Sequence, residues 1–299
     1  MYMKKICIIC NAKISFLKKY KLNKIYKILS KDNHVEIFKT EKIGHGTILC
    51  KVNINKFDII VAAGGDGTIN EVVNGMNDKK PLAIIPLGTA NIFALEAGIN
   101  GSAYEIAQII LSTKIKKVYV PTINNKNFIL MASAGFDADI VKTVQSSPTL
   151  KNIFKKFLFF IVSSFKLLIF KRYELKILAN NKIYKANWII ITKAMHYAGS
   201  FKLTQDTNIF DKKLIIYLFC NLTRLNFLCY FFTLLLNKKL KESNKLIKVT
   251  SDDIFISSKN KTAVQYDGEF LGYLPAQIKN TKRTINILVK EELNVQADQ

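Results

Sequence analysis

Acidic residues are scarce in this chain: 22 Asp and Glu stand against 45 Lys and Arg in 299 residues, a formal net charge of +23. That balance suits a polyanionic partner such as an anionic membrane surface, a nucleic acid or a phosphorylated molecule, and charge alone does not choose among them. A Lys-rich composition is equally compatible with ordinary solvated faces. Only 3 histidines occur: His34 and His196 have no sequence partner that would make a metal or acid–base cluster, and His45, close in sequence to Thr40, reads as an exposed His at a helix start or one that approaches a ligand there. The 5 cysteines are odd in number. Cys7 and Cys10 fall inside the apolar run Ile6–Cys10 with no second Cys pair, so they read as buried thiols of a reducing compartment rather than a disulfide framework or zinc site. No Walker A sequence occurs and no Gly-x-Gly-x-x-Gly follows a strand, which disfavours a P-loop or generic dinucleotide fingerprint. The start lacks an apolar leader with a small-residue cleavage site, and no apolar run approaches the roughly 20 residues needed to span a bilayer. The expectation is a cytoplasmic chain.

With 49% hydrophobic residues, the chain can bury one large or two medium cores. Its most informative segment is Gly64-Gly65-Asp66-Gly67-Thr68-Ile69-Asn70, directly behind the apolar run Asp58–Ala63. The run reads as a buried strand, and the glycines allow a sharp turn whose amides can approach a phosphate. A second strand-to-helix turn follows at Pro86-Leu87-Gly88-Thr89-Ala90-Asn91. Two such turns are what the crevice of a parallel α/β sheet offers a nucleotide. Gly64, Gly65, Gly67 and Gly88 would cradle phosphate, while Thr68, Asn70, Thr89 and Asn91, with Ile69 between them, complete the loops. An acid beside phosphates is repelled unless a cation intervenes, so Asp66 is assigned to Mg²⁺, directly or through water. Its alternative use is as the N-cap of the following helix.

Along the chain, strand and helix alternate from residue 4 to about 120, giving an α/β lobe with a mainly parallel sheet and helices on both faces. After Pro121 short strands dominate (128–133, 173–178, 183–192, 213–219, 246–250, 253–258, 262–266 and 284–288), which reads as a mainly antiparallel β-sandwich. The expected domains are 1–120 for nucleotide and 121–299 for the acceptor, with the last segment, about 281–299, a candidate to pack back on the first. Lys151–Phe170 has Phe154, Phe157, Leu158, Ile161, Phe165 and Leu168 on one helical stripe and lysines off it. Such a basic amphipathic helix suits an anionic membrane interface or packs between lobes. Leu225–Leu236 is apolar but too short to span.

These blocks, together with Ala134-Gly135-Phe136-Asp137-Ala138 and Asp267-Gly268-Glu269, resemble in order and kind the bacterial diacylglycerol kinase-like lipid kinases, relatives of sphingosine and NAD kinases. The resemblance spans most of the chain. It implies an ATP- and Mg²⁺-dependent lipid kinase, with diacylglycerol the default acceptor and a peripheral station on the inner leaflet. It further implies nucleotide contacts from Asn11 and Thr40, a carboxylate base in Asp267 and Glu269 jointly, and a structural Mg²⁺ at Asp211. Three departures stand out. Asn11-Ala12-Lys13-Ile14 lacks the family's proline and glycine, and Lys212 replaces the glycine usual after Asp211; Ala198-Gly199-Ser200 likewise replaces a more glycine-rich stretch. The rival readings are a kinase of a soluble acceptor such as NAD and a non-catalytic membrane-binding relative. No nucleic-acid-binding motif is visible, and a homodimer is compatible with the sequence.

Overall fold

The computed structural model describes residues 3–77, 79–146, 173–197, 201–236 and 240–291; the amphipathic stretch 151–170 and residues 198–200 lie outside them. The chain falls into two compact units, one formed up to Val118 together with a return from Thr284, the other by Tyr119–Arg283.

The first unit runs β1 (Lys5–Asn11), α1 (Phe16–Leu29), β2 (His34–Thr40), α2 (His45–Asn53), β3 (Ile59–Gly64), α3 (Asp66–Gly75), β4 (Pro81–Pro86), α4 (Ile92–Glu96), α5 (Ala103–Leu111) and β5 (Ile115–Tyr119). Every residue of β3 is buried, as expected of a strand covered by helices on both faces, and its Ile-Ile-Val-Ala-Ala run leaves no polar side chain to satisfy. β1 lies parallel to both β2 and β3, and β3 parallel to β4. The register sets Asn11 beside Thr40 and Gly64 beside Pro86, so the carboxyl ends of adjacent strands fall in line. Cys7 and Cys10 are buried free thiols, and burial pushes them up to about 12 and about 11, which makes them poor nucleophiles and poor ligands.

The second unit contains β6 (Thr122–Ile123), β7 (Lys126–Asn127), β8 (Met131–Ala134), α6 (Phe136–Ser146), β9 (Leu175–Ala179), β10 (Lys182–Ala186), β11 (Trp188–Thr192), β12 (His196–Tyr197), β13 (Phe201–Lys202), β14 (Ile215–Phe219), α7 (Arg224–Leu235), β15 (Leu246–Thr250), β16 (Asp253–Ser258), β17 (Ala263–Tyr266), β18 (Glu269–Tyr273) and β19 (Ala276–Lys279). Two six-stranded sheets carry it, ordered β10-β9-β16-β19-β6-β7 and β15-β14-β11-β8-β17-β18. Their pairings are antiparallel, for example β11 with β8 and β14. Residues of both sheets, among them Ile177, Ile254 and Ile278 from the first and Ile190 and Val264 from the second, share one buried cluster. The apolar run 183–192 is not one strand: it breaks at Asn187 into β10 and β11, which belong to different sheets.

A last strand, β20 (Thr284–Leu288), leaves this pattern. It runs parallel to β4, with Asn286 opposite Pro81 and Ile287 opposite Leu82, and completes the first unit's sheet in the order β2-β1-β3-β4-β20-β5. The grouping of 284–288 with the antiparallel strands is thereby corrected, while the alternative kept for about 281–299, a return to the first domain, is where the strand lies. Alternation of apolar residues specifies a strand but not the sheet it joins.

Candidate active site

In the first unit the two glycine loops form one object. A Cβ on Gly88 would meet the Gly65 Cα and Asn91 Oδ1, each at 2.5 Å, and a Cβ on Gly64 would lie 2.3 Å from Thr68 Oγ1. Only glycine permits this approach. The Leu87 amide donates to the Gly64 carbonyl at 2.9 Å. Asn91 adopts φ 50°, in the left-handed region, and its Oδ1 accepts the Gly88 amide at 2.6 Å. Lys18, which the sequence reading did not single out, reaches from α1 to donate to the Gly88 carbonyl at 2.9 Å. Thr68, Ile69 and Asn70 are buried and brace the turn from within, whereas Thr89 is exposed. Asn11 Oδ1 accepts the Lys13 amide at 2.8 Å, so the loop that lacks its glycines is closed by a side chain instead. The first turn of α3, which Asp66 and Gly67 open, supplies the amides that a helix start leaves without intrahelical partners, and these favour an anion.

Asp66 opens α3 and also holds the start of α4: its carboxylate accepts the Ile92 amide at 3.1 Å and the Phe93 amide at 2.9 Å. It therefore links the two loops, a use that differs from capping its own helix. Burial raises its pKa above the ordinary carboxylate value, and those two amides act in the opposite direction. Among the described residues no three His, Cys, Asp or Glu side chains gather as a metal cage. Mg²⁺ commonly takes one or two carboxylates and fills its other positions with substrate phosphates and water, and a carboxylate has about four acceptor positions. Asp66 fits that mode of binding.

In the second unit, Asp267-Gly268 is the two-residue loop of the β17–β18 hairpin, with Tyr266 paired to Glu269. Both loop residues have positive φ, 45° and 80°, which explains the Asp-Gly dipeptide. The Asp267 carboxylate accepts the amides of Ile129, Leu130 and Met131 at 2.7, 2.8 and 3.0 Å. It thus ties the hairpin to the segment entering β8. Glu269 is half-buried and accepts the Tyr266 hydroxyl at 3.5 Å. Beneath the turn, the wholly enclosed Asp137 accepts from Ser133 Oγ at 2.7 Å and from Trp188 Nε1 at 2.8 Å, and burial raises its pKa against these donors. Neither Ser133 nor Trp188 carries a motif that sequence reasoning could have used.

The residues around Asp211 do not fit the structural Mg²⁺ that the resemblance implies. Its carboxylate accepts the Asn208 amide at 3.1 Å, and its own amide returns to the Asn208 carbonyl at 3.0 Å, closing the turn without a metal. The Asp211 carbonyl accepts the ammonium of Lys193, which is fully buried and lies 5.4 Å from the Tyr119 ring centroid. The cation at this carbonyl is the protein's own, and a divalent ion beside it would be repelled.

A family model for the diacylglycerol kinase catalytic domain matches residues 5–123, which include both glycine loops. The diacylglycerol kinase of Staphylococcus haemolyticus (strain JCSC1435) is 30% identical over 267 residues, covering 86% of this chain and 78% of that protein. That of Staphylococcus aureus (strain bovine RF122 / ET3-1) is 31% identical over 272 residues, covering 86% and 84%. Among solved structures, a diacylglycerol kinase from Bacillus anthracis str. Sterne aligns with TM-score 0.71 at 22% identity over 97% of this chain and 98% of that one. An NAD kinase from Archaeoglobus fulgidus, in complex with ATP, aligns with TM-score 0.54 at 12% identity over 96% and 94%. The chain belongs to the diacylglycerol kinase family and is a kinase.

Proposed function

We propose that the protein transfers the γ-phosphate of ATP to a hydroxyl of a membrane lipid, with diacylglycerol as the acceptor, while held at an anionic leaflet by its excess of basic residues. The observation that carries this reading is the apposition of Gly65 and Gly88, which makes one amide-rich cradle from two loops in a chain that matches diacylglycerol kinases. Phosphoryl transfer asks little covalent work of a protein: phosphates must be held, charge neutralised and a hydroxyl deprotonated beside a base. Asp66 would hold a Mg²⁺ that arrives with the nucleotide and offsets phosphate charge. Because Asp267 spends its oxygens on three amides, we assign the base to Glu269, with Asp267 fixing the turn.

The fold likeness to an NAD kinase keeps a soluble acceptor as the rival, and the lipid is favoured because the staphylococcal relatives of 30% and 31% identity bear the diacylglycerol kinase name. Purified protein, Mg²⁺, γ-labelled ATP and mixed micelles of candidate lipids, alongside NAD, decide between them. Label on a lipid from the wild type, lost in Asp66→Asn and Glu269→Gln, is the expected result. Label on NAD, or none with ATP still bound, would overturn the lipid reading. Flotation on anionic against neutral vesicles tests the membrane station.

A further inference from the structure

We propose that helix α6 positions the Glu269 hairpin, gripping it at one end through Gln145 and at the other through Asp137 and Gln265; this rests on the kinase reading above. Among the described residues β18 is the edge strand of its sheet, and no described strand pairs with its outward side. Gln145 stands in for one. Its Oε1 accepts the Phe270 amide at 3.1 Å, and its Nε2 donates to the Gly268 carbonyl at 3.2 Å. Those two main-chain groups flank Glu269 on either side, so one side-chain amide brackets the residue assigned as base.

The other grip starts eight residues earlier on the same helix, at Asp137. Its carboxylate accepts Gln265 Nε2 at 3.3 Å, and Ser133 Oγ, which donates to Asp137, accepts the same Nε2 at 2.8 Å. A carboxylate only accepts, so the Gln265 amide must turn its oxygen the other way, and that oxygen takes the Gly268 amide at 3.0 Å. Both main-chain polar groups of Gly268 are therefore held by glutamines, one carried by α6 and one oriented by it. These glutamines act on the main chain on either side of Glu269, so their part is positional. A base off its productive place by a fraction of an ångström to an ångström costs rate without costing binding elsewhere.

The test is steady-state kinetics of Gln145→Ala and Gln265→Met beside the wild type. We expect kcat to fall about tenfold to a hundredfold with the KM for ATP unchanged, and Gln145→Glu, which keeps the acceptor for Phe270 but not the donor to Gly268, to recover part of it. Hydrogen exchange at the Phe270 amide should quicken in Gln145→Ala. Wild-type kcat in Gln145→Ala, or a loss confined to ATP KM, would overturn the inference. If the wild type transfers no phosphate the kinase reading fails by itself, and the exchange rate at Phe270 then decides alone whether the grip exists.

Discussion

The two units present their candidate residues in opposite materials. In the first, the loops work because side chains are missing: Gly65 and Gly88 touch back to back, and what faces a ligand is main chain. In the second, the hairpin works because side chains are present: Asp267, Gln145 and Gln265 each seize main-chain groups and hold Glu269 between them. A cradle of amides binds any phosphate of the right shape, whereas a base must be placed for one proton. The first half therefore tolerates no added bulk, and the second tolerates no lost hydrogen bond.

The largest break is expected at Glu269→Gln, which keeps shape and removes the proton acceptor. Transfer should fall about a hundredfold to ten-thousandfold with ATP affinity unchanged, read as kcat against a nucleotide-binding isotherm. Next is Gly88→Ala. The added methyl has no room against the Gly65 Cα, so the variant should lose about 3 kcal/mol of stability and its ATP binding together, seen in urea unfolding and calorimetry. Parallel losses in kcat alone would blur the distinction between the halves. Asp137→Asn comes third, at about 2 kcal/mol, because an amide turns a donor toward the hydroxyl, indole and amide donors it faces.

That third variant also carries a pH signature. Burial lifts Asp137 above its ordinary 3.8, so the folded protein binds this proton more tightly than the unfolded chain. Its contribution is fully present below the unfolded value, declines as pH rises toward the folded value and then levels. Asp66 is shifted in the same direction. Asp137→Asn should remove the fall of unfolding free energy with rising pH that Asp137 contributes, and leave the contribution of Asp66 and the opposite one of Glu105, whose pKa its Ser102 hydrogen bonds lower. The smallest effect belongs to metal removal. With Lys193 already at the Asp211 carbonyl, EDTA should leave the Tm of the nucleotide-free protein unmoved, and Mg²⁺ should not raise it. A Tm increase that Asp211→Ala abolishes would restore the divalent site.

What was legible in the sequence was local. The glycine loops announce themselves because strand, turn and helix start are contiguous, and Asp267-Gly268 because an Asp-Gly turn needs positive φ at both residues. Asn11 and Thr40 become neighbours only through the register of β1 and β2, which their separate strands do not spell out, and only the family resemblance marked them. Gln145, Gln265 and Lys193 were passed over because each acts on main chain remote in sequence or through a buried acid: Gln145 meets Gly268 across 123 residues, and Lys193 meets Asp211 across 18. Asp66 was marked for a ligand, yet its link to α4 lies 26 residues on. β18 and β19 went unread because Gly272 and Pro275 interrupt the alternation that signals a strand.

β20 has a consequence for how the chain is made. The strand that lies between β4 and β5 leaves the ribosome only after the whole second unit has been synthesised, so the sheet beneath the glycine loops stays open at that position until then. A fragment ending after β5 would carry both loops and still present the unpaired side of β4 to its neighbours, a surface that invites aggregation. Expression of the nucleotide half by itself requires the late strand to be grafted behind Tyr119.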